Sequence, residues 1–281
     1  MPFVKKLNTD FKIKNNQIVL SDDYKKKMSS RFKKITGSRF CSVIGFNEMT
    51  SQFKTWCMMV DIYRETMDQM LADAGNIIEP KIREWVENKF GSKYKVYNPF
   101  EVGFDVFKEN KVFGGIPDGE PLINNKIDYS KNGILEIKTT SIDSFLYKKI
   151  DHVFVLQKDE QNHPIIKSKN TKKEKWFDSN GNIVVPQEYK FQLGLYCYLR
   201  NINKGLFAVC FLQTEDYINP SKCNVNNREI QVIDFNVDLN EFKQYIKQAA
   251  NWYNKYVLSG ISPEMNEEDK IFVRDLLNYE E

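Results

Sequence analysis

Apolar residues change their spacing several times along this chain, and each change marks an element. Residues 22–34 predict a basic helix, and residues 50–73 a second one that carries Phe53, Trp56, Val60 and Tyr63. After Gly75, the run from Asn76 to Val86 restarts a helix. Asn76 is placed to cap it, and Pro80 falls in the first turn, where a missing N–H costs little. Phe100, Val102, Phe104 and Val106 alternate with Glu101, Gly103 and Asp105, the period of a half-buried strand. A hairpin turn near Asn110 returns the chain as a strand over Val112–Asp118, and Gly133–Lys138 is a third strand. Val153–Leu156 is a short apolar run, and about 157–185 is a polar, lysine-rich insertion. Pro186 opens a helix over Gln187–Asn201. Leu206–Leu212 is continuously apolar, as a buried strand is. Arg228–Phe235 alternates again, Glu241–Leu258 is an aromatic-rich helix, and about 264–279 a last, acidic one. This order predicts an α/β fold with a central mixed sheet flanked by helices. No repeat or Pro/Gly/Ser linker divides residues 1–281, so a single domain is expected, its core over about 28–258.

Composition narrows the class. Hydrophobic residues at 41% and charged residues at 28% are the balance of a soluble globular protein, and no apolar run reaches the roughly 20 residues of a membrane span. The N-terminus lacks a signal-peptide core, which predicts a cytoplasmic location. The five cysteines are scattered without a C-x-x-C, so they read as reduced thiols and not as a disulfide or zinc framework. The net charge of +3 is small, but residues 1–40 hold eleven Lys or Arg against three Asp. The insertion adds Lys158, Lys167, Lys169, Lys172, Lys173 and Lys175. Such patches suit phosphate binding, but taken alone they read first as plain solvated surface. Trp176 with these lysines either grips DNA or belongs to a loose insert.

The chemistry is narrowed by what is missing. The chain has no G-x-x-x-x-G-K-[ST], no G-x-S-x-G and no H-E-x-x-H. Its two histidines, His152 and His163, leave little room for His-based zinc or triad catalysis. A carboxylate–lysine set remains. Gly114-Gly-Ile-Pro-Asp118 ends one strand, and Leu135-Glu136-Ile137-Lys138 lies on the next. Alternation sends Leu135 and Ile137 to one face and Glu136 and Lys138 to the other. A charged pair on so apolar a strand is costly unless paired or liganded. Hard carboxylate oxygens suit Mg²⁺; an interstrand salt bridge is the bland alternative. Glu79 shares a helical face with Ile82 and Val86, and Gln192 sits among Phe191, Leu193 and Tyr196.

These fragments resemble the PD-(D/E)XK nuclease superfamily with its restriction-endonuclease-like core, and within it the phage lambda exonuclease or YqaJ-like viral recombinase family. The likeness spans about residues 28–212. It runs through Arg31 and Ile35–Phe40, Ile44-Gly-Phe-Asn with Trp56, Gly75 with Glu79-Pro80, Gly114–Gly119, Leu135–Thr139 and Tyr189-x-x-Gln192-Leu. Each fragment is weak alone; the six occur in order.

The resemblance implies a metal-dependent deoxyribonuclease. Asp118, Glu136 and the main-chain carbonyl of Ile137 would hold Mg²⁺, with Mn²⁺ able to substitute, and Glu79 would join directly or through water. Lys138 would activate the attacking water with Gln192 beside it. Arg31 and Ser38, seven apart, would hold a 5′-phosphate, with Tyr189 also on the DNA. It further implies 5′→3′ digestion of double-stranded DNA ends in recombination or repair, a ring-shaped trimer and a single-strand annealing protein as partner. Ile116 departs from the pattern, standing where a small hydroxyl residue touches the phosphate. A restriction or phage-defence endonuclease on the same fold, and a non-catalytic DNA-binding protein, stay open.

Overall fold

Two adjacent asparagines shape the first element of the computed structural model, which describes residues 7–65, 67–150 and 153–277. Strands β1 (Phe11–Lys14) and β2 (Gln17–Leu20) pair antiparallel through Asn15 and Asn16, both left-handed at φ 50° and 58°. Asparagine tolerates that conformation better than other side chains bearing a Cβ. Helix α1 (Asp22–Met28) is capped by Ser21 and ends in a single 3-10 turn over Ser29–Arg31, shorter than the 22–34 expected. Helix α2 (Gly37–Val43) was not foreseen. Helix α3 (Gln52–Met59) stops where Asp61 turns left-handed, so 50–73 is not one helix.

Helix α4 (Gln69–Phe90) corrects a second expectation. It starts at the Asp68 cap, and Gly75, Asn76 and Pro80 all lie inside it. A fully buried stripe at every fourth residue, Ala74, Ile78, Ile82 and Val86, runs straight through the presumed restart. Burial of that stripe outweighs the hydrogen bond that Pro80 removes.

After β3 (Lys93–Lys95), the expected strand over 100–106 is instead a short helix, α5 (Pro99–Val102), capped by Asn98. Gly103 and Phe104 then both turn left-handed. The stretch Val112–Asp118 makes no ladder; its contacts are single bridges, Ile35 to Phe113 and, just beyond it, Gly119 to Leu135. Strands β4 (Glu120–Ile123) and β5 (Lys126–Ile127) complete a small antiparallel sheet with β3.

The main sheet is mixed, as expected. Strand β6 (Ile134–Ser141) pairs parallel with β11 (Lys204–Leu212), which pairs antiparallel with β12 (Glu229–Asn236). Between β6 and β11 come β7 (Ser144–Phe145), the hairpin β8 (Tyr147–Ile150) and β9 (Val153–Leu156), β10 (Ile166–Ser168), α6 (Thr171–Glu174) and α7 (Gln187–Arg200). The insertion is woven into the fold: β10 pairs with β7, and Phe177 bridges to Ile183. Trp176 is 4% exposed and stacks on Tyr189, which leaves no face for a base.

Helices cover both faces of the sheet. The α4 stripe packs with Leu135, Ile137, Ala208, Cys210 and Leu212. On the opposite face, Leu193, Tyr196 and Cys197 of α7 pack with Phe207, Val209 and Phe211. Beyond α8 (Thr214–Ile218), helix α9 (Leu239–Trp252) continues as a wide turn over Tyr253–Leu258, and α10 (Glu267–Leu277) follows. Residues 278–279 of the expected acidic helix, and His152, lie outside the described residues. Helices α1, α2, α3, α9 and α10 build a separate helical core around Phe40, Trp56 and Phe242. All five cysteines are buried free thiols. No helix among the described residues is long and apolar enough to cross a membrane.

Candidate active site

Alternation along β6 does what its sequence requires. Leu135 and Ile137 face α4, while Glu136 and Lys138 face α7. Glu136 is wholly buried, and Lys138 keeps 16% of its side chain exposed. Lys138 Nζ donates to Glu136 Oε1 at 2.6 Å and to Gln192 Oε1 at 3.2 Å, and Gln192 Nε2 donates to the same Glu136 oxygen. The other oxygen, Glu136 Oε2, is buried without a hydrogen-bond partner.

Asp118 enters from the outer edge of β6. Gly119 and Leu135 exchange both main-chain hydrogen bonds, at 2.9 and 3.2 Å, and the two segments then part. Two residues on, the Ile137 N–H donates to the Asp118 carboxylate at 2.7 Å. A strand residue's N–H and C=O point to the same side, so the Ile137 carbonyl shares that open edge.

Glu79 comes from α4, half-exposed and beside the buried stripe instead of on it. Arg83, one turn on, lies 3.5 Å from Glu79 and donates to the Asp118 carbonyl at 3.3 Å. Burial first, and then the Asp118 charge, push Glu79 up to about 7. The same two causes raise Glu136, against the pull of Lys138. Burial raises Asp118, although Lys138, the Ile137 N–H and Arg83 oppose it. Burial alone would lower Lys138, but Glu136 and Asp118 outweigh it and keep the ammonium charged.

Among the described residues, no three His, Cys, Asp or Glu side chains form a ready-made metal cage. The donor set still fits a hard divalent cation that keeps several waters. It offers the Asp118 and Glu136 carboxylates, the bare Glu136 Oε2 and the outward Ile137 carbonyl. Mutual repulsion among the three acids is what a dication would relieve.

Other expected residues are placed less centrally. Tyr189 is half-buried under Lys138, whose Nζ lies 4.8 Å from the ring centre. Ser38 is exposed in the first turn of α2, its hydroxyl 3.2 Å from that of Thr36. Arg31 is exposed on the 3-10 turn, and no hydrogen bond or ion pair joins it to Ser38 or to the carboxylates. Gly37 connects this region to the site. A Cβ there would lie 2.6 Å from Gln192 Cγ and 3.0 Å from the Tyr196 ring, so α2 and α7 meet only because that position is bare.

Arg83 and Tyr196 escaped the sequence reading. Arg83 was findable as the i+4 neighbour of Glu79, and Tyr196 as that of Gln192. Tyr196 is buried and stacks on Phe107 with ring centres 6.0 Å apart.

The YqaJ-like viral recombinase domain matches residues 28–198. A Mycoplasma genitalium relative, "Uncharacterized protein MG373", is 51% identical over 271 residues, covering 96% of each chain. A Mycoplasma pneumoniae homologue of that protein is 46% identical over 277 residues, covering 98% of this chain and 99% of its own. Among solved structures, an alkaline exonuclease from Laribacter hongkongensis superposes with TM-score 0.48 at 13% identity, covering 92% of this chain and all of its own. A phage-related exonuclease from Haemophilus somnus gives 0.47 at 14%, covering 88% and 99%.

Proposed function

The chain belongs to the YqaJ-like viral recombinase domain family, and from that premise we propose that it is a metal-dependent deoxyribonuclease digesting duplex DNA ends 5′→3′ in recombination or repair. One observation carries this reading. A wholly buried carboxylate, Glu136, shares one oxygen between Lys138 and Gln192 and leaves the other bare. Stability alone disfavours such an oxygen, whereas a liganded cation would satisfy it.

Asp118, Glu136 and the Ile137 carbonyl would hold Mg²⁺, with Mn²⁺ able to substitute, and Glu79 would reach it directly or through water. When bound, the ion supplies positive charge to the phosphate and acidifies water. Lys138 contributes N–H donors at Nζ that orient the attacking water. Gln192 holds Lys138 through its carbonyl and Glu136 through its amide. Arg83 keeps Glu79 turned toward Asp118. Tyr189, its ring centre 4.8 Å from Lys138 Nζ, would face the DNA. Arg31 and Ser38 would receive the terminal 5′-phosphate. A trimeric ring working with a single-strand annealing protein is the assembly that goes with this reading. The five free thiols suit a reducing cytoplasm.

The test is digestion of end-labelled linear duplex beside a covalently closed circle, with Mg²⁺ or EDTA. The 5′ label should disappear first from the linear substrate, the circle should survive, and EDTA should stop the reaction. Cleavage of the circle would make the enzyme an endonuclease. Survival of both substrates with Mg²⁺ would leave only DNA binding.

A further inference from the structure

The lysines between β6 and α7 divide by partner. Lys149 lies 3.7 Å from Asp275, Lys158 lies 3.1 Å from Asp68, and Lys173 pairs with Glu229. Lys167, Lys169, Lys172 and Lys175, running from β10 through α6, meet no carboxylate among the described residues. Lys172 and Lys175 stand three apart on one turn of helix, so their ammonium groups share a face. Burial lowers Lys172, and Lys175 lowers it further. A like-charged pair in that position costs stability unless an anion joins it.

The turn that presents them is fastened to the fold. The Ile142 carbonyl accepts both the Lys172 and the Lys173 N–H, at 3.3 and 3.2 Å, and the Asp143 carboxylate accepts the Asn170 N–H at 2.9 Å. The Thr171 hydroxyl lies 2.8 Å from that of Ser144 and 2.6 Å from that of Ser168. Immediately after Lys175, the buried Trp176 stacks on Tyr189 with ring centres 5.5 Å apart, and Tyr189 in turn lies under Lys138. The lysines therefore ride on a rigid platform docked to the wall of the candidate active site. Its anchor, Ile142, stands four residues beyond Lys138, about 13 Å along the strand. None of the hydrogen bonds that fasten it reaches Arg31, Thr36 or Ser38.

We infer that this platform holds the backbone of the paired DNA still to be digested, with Lys172 and Lys175 on its phosphates and Lys167 and Lys169 beside them. The patch carries charge and no free aromatic face: Trp176 is covered by Tyr189, and Phe177 stacks on Phe211 with ring centres 5.9 Å apart. Unpaired strands are held by stacking as well as by charge. A duplex conceals its bases and offers phosphates at about twice the linear density of one strand. The roughly 13 Å from Lys138 to Ile142 equals about four base-pair steps, so one duplex spans both. Trp176 thus anchors the contact without touching DNA. The inference rests on the nuclease reading and adds to it a contact on the uncut duplex, away from the proposed terminal-phosphate pair.

The test is fluorescence anisotropy of the full chain in EDTA, over a range of salt, with a labelled hairpin duplex and with labelled oligothymidylate. The double variant Lys172→Gln, Lys175→Gln should weaken duplex binding about tenfold and lower its log–log salt slope by about two, as two lost phosphate contacts require. Oligothymidylate affinity should fall by no more than about threefold. Lys172→Arg, Lys175→Arg keeps both charges and should keep the wild-type slope. Lys131→Gln, Lys204→Gln removes the same charge at the other end of β6 and β11, and should leave the slope unchanged. An unchanged slope in the Lys172, Lys175 glutamine pair would overturn the inference. So would an equal drop in the Lys131, Lys204 pair, an equal loss on oligothymidylate, or a collapsed urea midpoint, which would make the lysines structural. Wild-type chain that binds no duplex would sink the nuclease reading as well, whereas wild-type binding matched by the glutamine pair sinks this inference alone.

Discussion

Lys138 Nζ lies 2.6 Å from Glu136 Oε1, one step along the same face of β6, under the cover of α7. Two opposite charges are thus buried together, and neither can be removed without stranding the other.

Lys138→Ala should therefore lose cleavage by about 100-fold or more and, separately, about 3–5 kcal/mol of stability from the unpaired Glu136. The double variant Glu136→Gln, Lys138→Met should recover most of the urea midpoint and remain inactive. DNA binding in EDTA should survive in both. Wild-type cleavage by Lys138→Ala would end the catalytic assignment.

Gly37→Ala tests the contact between α2 and α7. Its methyl would lie 2.6 Å from Gln192 Cγ, so the amide must move from Glu136 and Lys138. Cleavage should fall roughly ten- to a hundredfold, as it does for small misplacements of catalytic groups. The urea midpoint should change little by comparison. An unchanged rate would show that Gln192 is not positional.

Glu120 carries a purely structural prediction. It is fully buried, gripped by Arg200 at 2.5 and 2.9 Å and by the hydroxyls of Tyr97 and Tyr129. Arg200→Met should cost about 3–5 kcal/mol, because a buried carboxylate loses its countercharge. Chemical denaturation measures this loss, and cleavage per folded molecule should stay near wild type.

Acid stability should depend on Asp216. Burial alone would raise this carboxyl, yet Arg228 at 2.6 and 2.9 Å and the Gln213 amide at 2.9 Å hold it below the usual range. A group lowered in the fold stabilises above its unfolded pKa, and that contribution is lost as pH falls through the folded one. The wild-type urea midpoint should thus fall more steeply between about pH 5 and pH 3 than that of Asp216→Asn, Arg228→Met. Parallel declines would assign the acid sensitivity to other groups.

What the sequence made legible were the segments where one physical demand dominates. Alternation placed Glu136 and Lys138 on one face, and the apolar run 206–212 had to be a buried strand. The errors fell where two demands compete. Asn76 and Pro80 look like a helix start, but the burial of Ala74 and Ile78 carries α4 through them. Phe100 to Val106 alternates, but Asn98-Pro99 caps a turn of helix and Gly103 ends it. The Asn-Asn pairs at 15–16 and 124–125 were readable hairpin signals that went unused. Of the candidate site, Glu136, Lys138 and Gln192 are in direct contact, with Asp118 and Glu79 within electrostatic reach, whereas Arg31 and Ser38 lie on the surface with no hydrogen bond between them.

The fork after the Gly119–Leu135 rung has a practical consequence. Because Asp118 is anchored by the Ile137 amide, its aim is set by strand register, not by neighbouring side chains. The loop before Pro117 is under a different constraint, because a Cβ on Gly115 would lie 2.7 Å from the Tyr196 hydroxyl. Adding a single residue between Asp118 and Gly119 would uncouple the two at once.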